Sequence, residues 1–421
     1  MEDNYPRIAF FTDCYYEVNG VALTSRQLES YASRLDIPIL MVHQGPQTCF
    51  VPGDIDIKDL PKKFYPSDTV EIKESAGRIS KLELKQSPLR IKMDRDFYYD
   101  PLMWRNVKIV RYILQNFRPD AVHITSCGDI GQLGAYFAKN MKFPLVASWH
   151  TNLHEFAAHR LGTLLNWLPE EWQAPPVEWS SKEIWKNLGR FYALADLLLA
   201  PNPDLAAQLG QLTRKPVRLM ERGVDTTLFS ASYRTKNDGI FRIGYVGRIE
   251  AEKNLRCLAD IEKGLNEKGI SNYRYVLVGD GYERAWLEQN LHQAEFTGVL
   301  KGNELSAAYA NFDLFIFPSL ADTFGNVVLE ALASEVPAAV SNKGGPQYIV
   351  EDKCSGFVCE STQDFIDAAF TLISNPETLN AMRKNALERA KSFSWDNVFQ
   401  KLFTSYQVCI ESKKNNTRVS K

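Results

Sequence analysis

The sequence predicts an α/β protein built of two doubly wound domains, and three observations carry that expectation. Short apolar, β-branched runs alternate with longer helical patterns along most of the chain. These runs fall into two sets of about five, one in each half. The length, 421 residues, is enough for two domains of ordinary size, each with its own core.

In the first half the runs are "RIAFFTD" (7–13), "PILMVHQG" (38–45), "AVHITS" (121–126), "PLVASWH" (144–150) and "DLLLAPN" (196–202). In the second they are "FRIGYVG" (241–247), "YRYVLVGDG" (273–281), "EFTG" (295–298), "DLFIFPS" (313–319) and "PAAVSN" (337–342). Apolar residues on both faces, with helices between, describe parallel strands joined by βαβ crossovers. Ligands of such sheets bind beyond the C-terminal ends of the strands, so a cleft between two of them is the expected site. The seam is expected near 210–235, where turn residues give way to the polar "SASYRTKNDG". The expected domains are 1–214, 215–394, and a closing helix with polar tail, 395–421, that returns toward the first domain.

Composition narrows the function. With 49 basic and 51 acidic residues the formal charge is −2, against a nucleic-acid partner. No run reaches the roughly 18 apolar residues a membrane span needs, and the start lacks a basic leader before an apolar core. Seven cysteines without CxxC spacing point to reduced thiols in a cytoplasmic setting. Cys127, beside Gly128, reads as a small buried residue in preference to a nucleophile.

Four stretches carry chemistry. In "ADTFGNVVLEALASEVP" (321–337), Asp322 or Thr323 is expected to cap a helix starting near Phe324 and Gly325. Phe324, Val327, Val328, Leu329, Ala331, Leu332 and Ala333 leave that helix almost no polar face, yet Glu330 sits in it. A buried carboxylate without a partner costs several kcal/mol, so Glu330 must accept hydrogen bonds, either from a ligand or from an internal basic group. Gly325 lets a ligand approach the first turn, whose unsatisfied N–H groups attract anions. An anion there with hydroxyls near Glu330 describes a nucleotide diphosphate and its ribose.

In "GYVGRIEAEKNL" (244–255) a strand runs into Gly247, placing Arg248 and Lys253 past its C-terminal end. Two cations there could stabilise a departing diphosphate without a metal, or simply be surface charges on a βα loop. Asn19-Gly20, between the first strand and first helix, is a phosphate-facing loop or a plain turn, and it is not GxGxxG. In "SWHTNLHEF" (148–156), His150 ends the fourth strand, where a sugar-orienting imidazole belongs. His154 follows at i+4, but the acid of HExxH is missing, so no metal is expected.

Together these stretches resemble the family-4 retaining glycosyltransferases of GT-B architecture, two facing Rossmann-like domains with a cleft between them. The matching pieces are "NGV" (19–21), "SWHTN" (148–152), "RGVDTTLF" (222–229), "GYVGRIEAEKNL", "LVGDG" (277–281), "FTGVLKGNELSAAYANFDLFIFPS" (296–319), "DTFGNVVLEALAS" (322–334) and "GGPQYI" (344–349). The resemblance implies that Arg248 and Lys253 hold the donor diphosphate, Glu330 binds the ribose, and Asp322 binds the hydroxyls of the transferred sugar. It assigns main chain at Thr323, Phe324, Gly325, Asn326 and Val327 to phosphate and sugar, and backbone at Val299 and Leu300 to the base. Gly247 and Gly20 approach the diphosphate, and His150 lines the sugar.

The implied reaction is retaining transfer of a glucose- or mannose-type hexose from a UDP- or GDP-type donor to a lipid or glycan hydroxyl. The resemblance implies a front-face path in which the leaving diphosphate takes the acceptor proton, so no protein nucleophile is expected; the Arg248 and Lys253 pair fits a reaction with neither cofactor nor metal. The family's first acid is usually Glu; Asp322 is one methylene shorter, which leaves the donor sugar open. Glu335 stands where the family has glycine, at the expected helix C-terminus, a small cost in stability. "DID" (54–56) resembles a metal-binding DxD but reads as a polar loop.

Two features bear on the acceptor. From Lys58 to Arg118 there are 14 basic and 8 acidic residues, a local net of 14 − 8 = +6. The stretch 166–185 holds Trp167, Trp172, Trp179 and Trp185. A basic surface beside aromatics suits an enzyme peripheral to the inner face of an anionic membrane. Solvated faces interleaved with acids, and tryptophans packing a helical hairpin, are the other reading. Two competing functions share the architecture: a non-catalytic sugar-nucleotide-binding subunit and a nucleotide-sugar epimerase.

Overall fold

The computed structural model describes residues 5–17, 19–55, 63–65, 68–74, 77–92, 98–150 and 183–419. The chain divides into two compact units, Met1–Met220 with Phe399–Lys421, and Glu221–Val398.

The first unit is built on a nine-stranded sheet. Its order is Val217–Leu219, Leu197–Ala200, Leu145–Ser148, Ala121–Ile124, Ile8–Thr12, Ile39–Gly45, Ile79–Lys85, Cys49–Val51, Glu71–Ile72. Neighbours are parallel except where Cys49–Val51 pairs antiparallel with Ile79–Lys85. Every residue of Ile8–Thr12 and Ile39–Gly45 is buried, as a sheet covered on both faces requires. Each of the five expected strands forms, but the sheet is larger and mixed. Within "ISKLELK" (79–85) the last five residues, "KLELK", alternate apolar and charged as a strand can, and a reading of the segment by charge alone passes over it.

The final helix, Trp395–Val419, belongs to this unit from Phe399 onward. Phe399 packs on Tyr31 with ring centroids 5.3 Å apart, and Lys413 Nζ lies 2.6 Å from Asp196 Oδ2. The Tyr406 hydroxyl is 2.6 Å from His123 Nδ1, whose other nitrogen faces Ser148 Oγ at 2.5 Å. Burial lowers the His123 pKa to about 3, so this histidine is a neutral structural element.

The second unit is a six-stranded, wholly parallel sheet. Its order is Ala294–Gly298, Tyr273–Val278, Phe241–Val246, Leu314–Phe317, Ala338–Ser341, Gly356–Cys359. Numbered by occurrence within the unit, this is 3-2-1-4-5-6, the doubly wound order. The strand Gly356–Cys359, half-buried along its middle, adds to the five expected ones. Ile243, Tyr245, Phe315, Val328 and Leu332 lie in its core.

Candidate active site

A 3-2-1-4 order reverses direction between the first and fourth strands, and that reversal opens a crevice beyond their C-terminal ends. In the second unit those strands are Phe241–Val246 and Leu314–Phe317, paired through Ile243 with Leu314 and Gly244 with Phe315. Gly247, Arg248 and Lys253 follow the first, and Asp322 through Glu330 follow the fourth. Val299 and Leu300 directly follow the third strand, Ala294–Gly298, at the same end of the sheet, with Val299 exposed.

Lys253 ends a 3-10 turn, Ala251–Lys253, and its Nζ donates to Asp322 Oδ2 at 2.7 Å. The same nitrogen is 3.7 Å from Glu252 Oε1, and Arg248 Nη2 donates to that oxygen at 2.6 Å. Charges therefore alternate along Arg248, Glu252, Lys253 and Asp322. The Lys253–Asp322 pair is largely buried, with side chains 13% and 23% exposed; the Arg248 side chain is 57% exposed. An exposed pair is worth little, so Arg248 is readily given up to an incoming anion. Lys253 has three donors and can hold a phosphate oxygen while it keeps Asp322.

The helix after the fourth strand spans Asn326–Ala333, starting directly after the expected Phe324 and Gly325. Its cap is Gly325, at φ 105°, with no capping side chain. The cap position is therefore Gly325 and not Asp322 or Thr323, and the Asp322 carboxylate is turned to Lys253. A left-handed φ is what glycine supplies without strain, and glycine itself offers no side chain to the first-turn N–H groups. Val328, Leu329, Ala331, Leu332 and Ala333 are buried, as expected. Glu330 is half-buried and accepts a hydrogen bond from the Tyr309 hydroxyl at 2.7 Å. Burial of the carboxyl pushes its pKa up to about 7, and the Tyr309 hydrogen bond pulls the other way. Its partner is thus a hydroxyl donor and not the internal cation that the sequence left open.

The glycine pair 344–345 locks this loop. Gly345 N donates to Asp322 O at 2.7 Å, and a Cβ on Gly344, at φ 68°, would stand 2.4 Å from that same oxygen. Gly344, Gly345, Tyr309 and Glu252 were not among the expected site residues. The glycine pair was visible inside "GGPQYI", but what it packs against was not.

In the first unit, Gly20 is the first residue of the helix Gly20–Arg34. The Asn19 side chain caps that helix, accepting from Val21 N at 3.0 Å and Ala22 N at 2.9 Å. His150 is buried, two residues past the strand Leu145–Ser148. His154 and the tryptophans at 167, 172 and 179 lie outside the described residues. Trp185 packs on Trp149 at 5.4 Å. Asp54 of "DID" is held by Arg7 at 2.5 Å and Arg78 at 3.3 Å. Burial alone would raise its pKa, but the two guanidinium groups outweigh that and hold it below the usual range. Asp56 lies outside the described residues. All seven cysteines are free, and burial pushes the Cys127 thiol up to about 12, away from the thiolate a nucleophile needs. Among the described residues no group of three or more His, Cys, Asp or Glu could hold a metal.

Cations and a hydrogen-bonded carboxyl at the reversal point of a doubly wound sheet make a site suited to a phosphorylated nucleotide. Residues 81–228 match the Glycosyltransferase Family 4 model, and residues 232–389 match the Glycosyl transferases group 1 model. The chain belongs to this glycosyltransferase family. It is 30% identical over 310 residues to a GDP-mannose-dependent alpha-mannosyltransferase of Mycolicibacterium smegmatis, covering 71% of this chain and 76% of that one. It is 30% identical over 302 residues to a sulfoquinovosyl transferase of Arabidopsis thaliana, covering 67% of this chain and 55% of the length of that relative. Among solved structures, a sucrose-phosphate synthase from Thermosynechococcus elongatus shares the fold, with a TM-score of 0.66 at 17% identity over 96% of this chain and 100% of that one.

Proposed function

We propose that the chain transfers a hexose, with retention of anomeric configuration, from a UDP- or GDP-type sugar to a hydroxyl of a lipid or glycan acceptor. The observation that carries this reading is the convergence of Lys253 and Asp322, 2.7 Å apart, at the point where the second sheet reverses. Lys253 and Arg248 would stabilise the charge that builds on the departing diphosphate, the electrostatic part of the catalysis. Glu330 would accept from the ribose hydroxyls and Asp322 from the transferred sugar. Main chain from Thr323 to Val327 and around Gly247 would face phosphate and sugar, and Val299 and Leu300 the base.

The roles given to His150, at the sugar, and Gly20, at the diphosphate, rest on family resemblance. So does the front-face path, in which the diphosphate takes the acceptor proton. No metal or cofactor is assigned a part. The GDP-mannose dependence and alpha linkage named for the Mycolicibacterium relative support a retaining hexosyltransferase. Free thiols suit a reducing, cytoplasmic setting.

A thermal-shift panel of UDP- and GDP-sugars tests the reading. Donor at 100 times its dissociation constant should stabilise the protein by about 2.7 kcal/mol. Anomeric analysis of the product by NMR then decides retention, and an inverted product would refute it.

A further inference from the structure

From Lys85 to Arg118 the chain carries eight basic residues (85, 90, 92, 95, 105, 108, 111, 118) and three acids (94, 96, 100), a net of 8 − 3 = +5. Charges that are merely solvated would be expected to interleave at the surface, and here the described ones do not. Asp100 is buried, its carboxylate accepting from Ser87 N at 2.7 Å and Leu102 N at 2.9 Å. It therefore spends its charge joining the 87–91 loop to the turn before the helix Val107–Phe117. Arg105 Nη2 adds a second tie, to Lys85 O at 2.6 Å.

The surface that these ties assemble is both basic and apolar. Leu89 is 66% exposed, Ile91 54%, Trp104 44% and Leu102 43%. The 3-10 turn Met103–Asn106 runs directly into the helix, so Trp104, Lys108, Arg111 and Gln115 follow helical spacing along one side. All four are exposed, while Ile109, Val110, Ile113, Leu114 and Phe117 face the core. Arg118, exposed at the left-handed C-cap, ends the row. Trp104 is held in place by Tyr136, edge to face at 5.3 Å. Among the described residues of this row there is no acid.

We propose that this face, Leu89, Ile91, Leu102 and Trp104 together with Lys108 and Arg111, docks the first unit on an anionic lipid bilayer. The chemistry matches both layers of such a surface. Lysine and arginine meet the phosphate headgroups, and an indole with aliphatic tips enters the headgroup–acyl boundary. A nucleic acid would use the cations but gives no place to three exposed aliphatic side chains. The inference rests on the proposed transferase only in that a lipid acceptor would be met at this surface.

The experiment is co-sedimentation of the full chain with phosphatidylcholine vesicles, with and without about a quarter phosphatidylglycerol, at low and at ~0.5 M salt. Binding is expected to the phosphatidylglycerol vesicles alone, weakened by salt, and reduced about tenfold or more in Lys108→Gln/Arg111→Gln. Trp104→Ala and Leu89→Ser should each weaken it with the cations intact. Melting temperature and the nucleotide-induced thermal shift serve as controls, and both should match wild type. No binding at low salt, equal binding to neutral vesicles, or unchanged binding by the double variant would overturn the proposal. An intact nucleotide shift beside failed vesicle binding removes the docking surface and leaves the donor site standing; a missing shift in the wild type removes the donor site instead.

Discussion

Lys253 Nζ and Asp322 Oδ2 lie 2.7 Å apart across 69 residues of chain, joining the loops that follow the first and fourth strands of the second unit. The pair holds a cation and an anion side by side before any donor arrives. Lys253→Ala removes the diphosphate contact and leaves Asp322 without this partner. Transfer is expected to fall by two to three orders of magnitude, roughly the loss of one preorganised charge contact. Stability should fall by about 1–2 kcal/mol, the scale of one charge-assisted hydrogen bond, as read by urea denaturation. Wild-type turnover in this variant would remove Lys253 from the site.

Asp322→Glu adds one methylene to the acid. If Asp322 reads the transferred sugar, the variant should change the ranking of kcat/KM among nucleotide sugars while the affinity for free UDP or GDP stays the same. An unchanged ranking would show that Asp322 serves only as a partner for Lys253.

The Glu330 carboxyl has a pKa of about 7 in the fold against 4.5 for the ordinary side chain. Between these values the folded chain keeps a proton that the unfolded chain has released, so this group's contribution to stability falls as pH rises through the window. Glu330→Gln should therefore gain melting temperature over wild type at pH 8 and lose most of that advantage near pH 5. Ribose hydroxyls bond more strongly to an ionised carboxylate than to a protonated one, so nucleotide affinity of the wild type should weaken as pH falls below about 7. Calorimetric titration across this range checks it. A flat wild-type profile would dissociate Glu330 from ribose.

Glu335 holds φ 58° just past the helix Asn326–Ala333. Its N–H donates to Leu332 O at 3.1 Å and Val336 N donates to Ala331 O at 3.0 Å, the paired bonds of a Schellman motif. A residue with a Cβ is strained there, so Glu335→Gly should stabilise by about 1 kcal/mol and leave transfer unchanged. Thermal denaturation reads the gain, and Glu335→Ala, which keeps the Cβ, should not show it.

Gly344→Ala would press a methyl group against Asp322 O. The loop carrying Asp322 must then shift, with donor affinity expected to drop at least tenfold, about 1.4 kcal/mol. Isothermal titration with UDP or GDP checks this, with melting temperature separating site damage from unfolding.

Much of this was legible in local patterns. "DLFIFPS" shows its strand because four successive apolar residues, stopped by Pro318 and Ser319, are too short for a helix and suit a doubly covered sheet, and Glu330 stands out because a carboxylate in an apolar helix must have a partner. Other features carried no local signal. Tyr309 lies 21 residues before Glu330 in an unremarkable "AAYAN", and only packing brings its hydroxyl to the carboxyl. "KLELK" (81–85) did carry a signal, a short alternation, which the surrounding charge obscured.

By itself, then, the sequence determined the two sets of strands, the family and which side chains bear charge near strand ends. Hydrophobic period and turn chemistry act over a few residues and are written in order along the chain. Tertiary structure decided how those charges are spent: Lys253 on Asp322, Asp100 on backbone N–H groups, Glu330 on Tyr309. Hydrogen bonds and desolvation depend on which groups meet in space, and chain separations of 69 and 21 residues are closed only by the packed sheet.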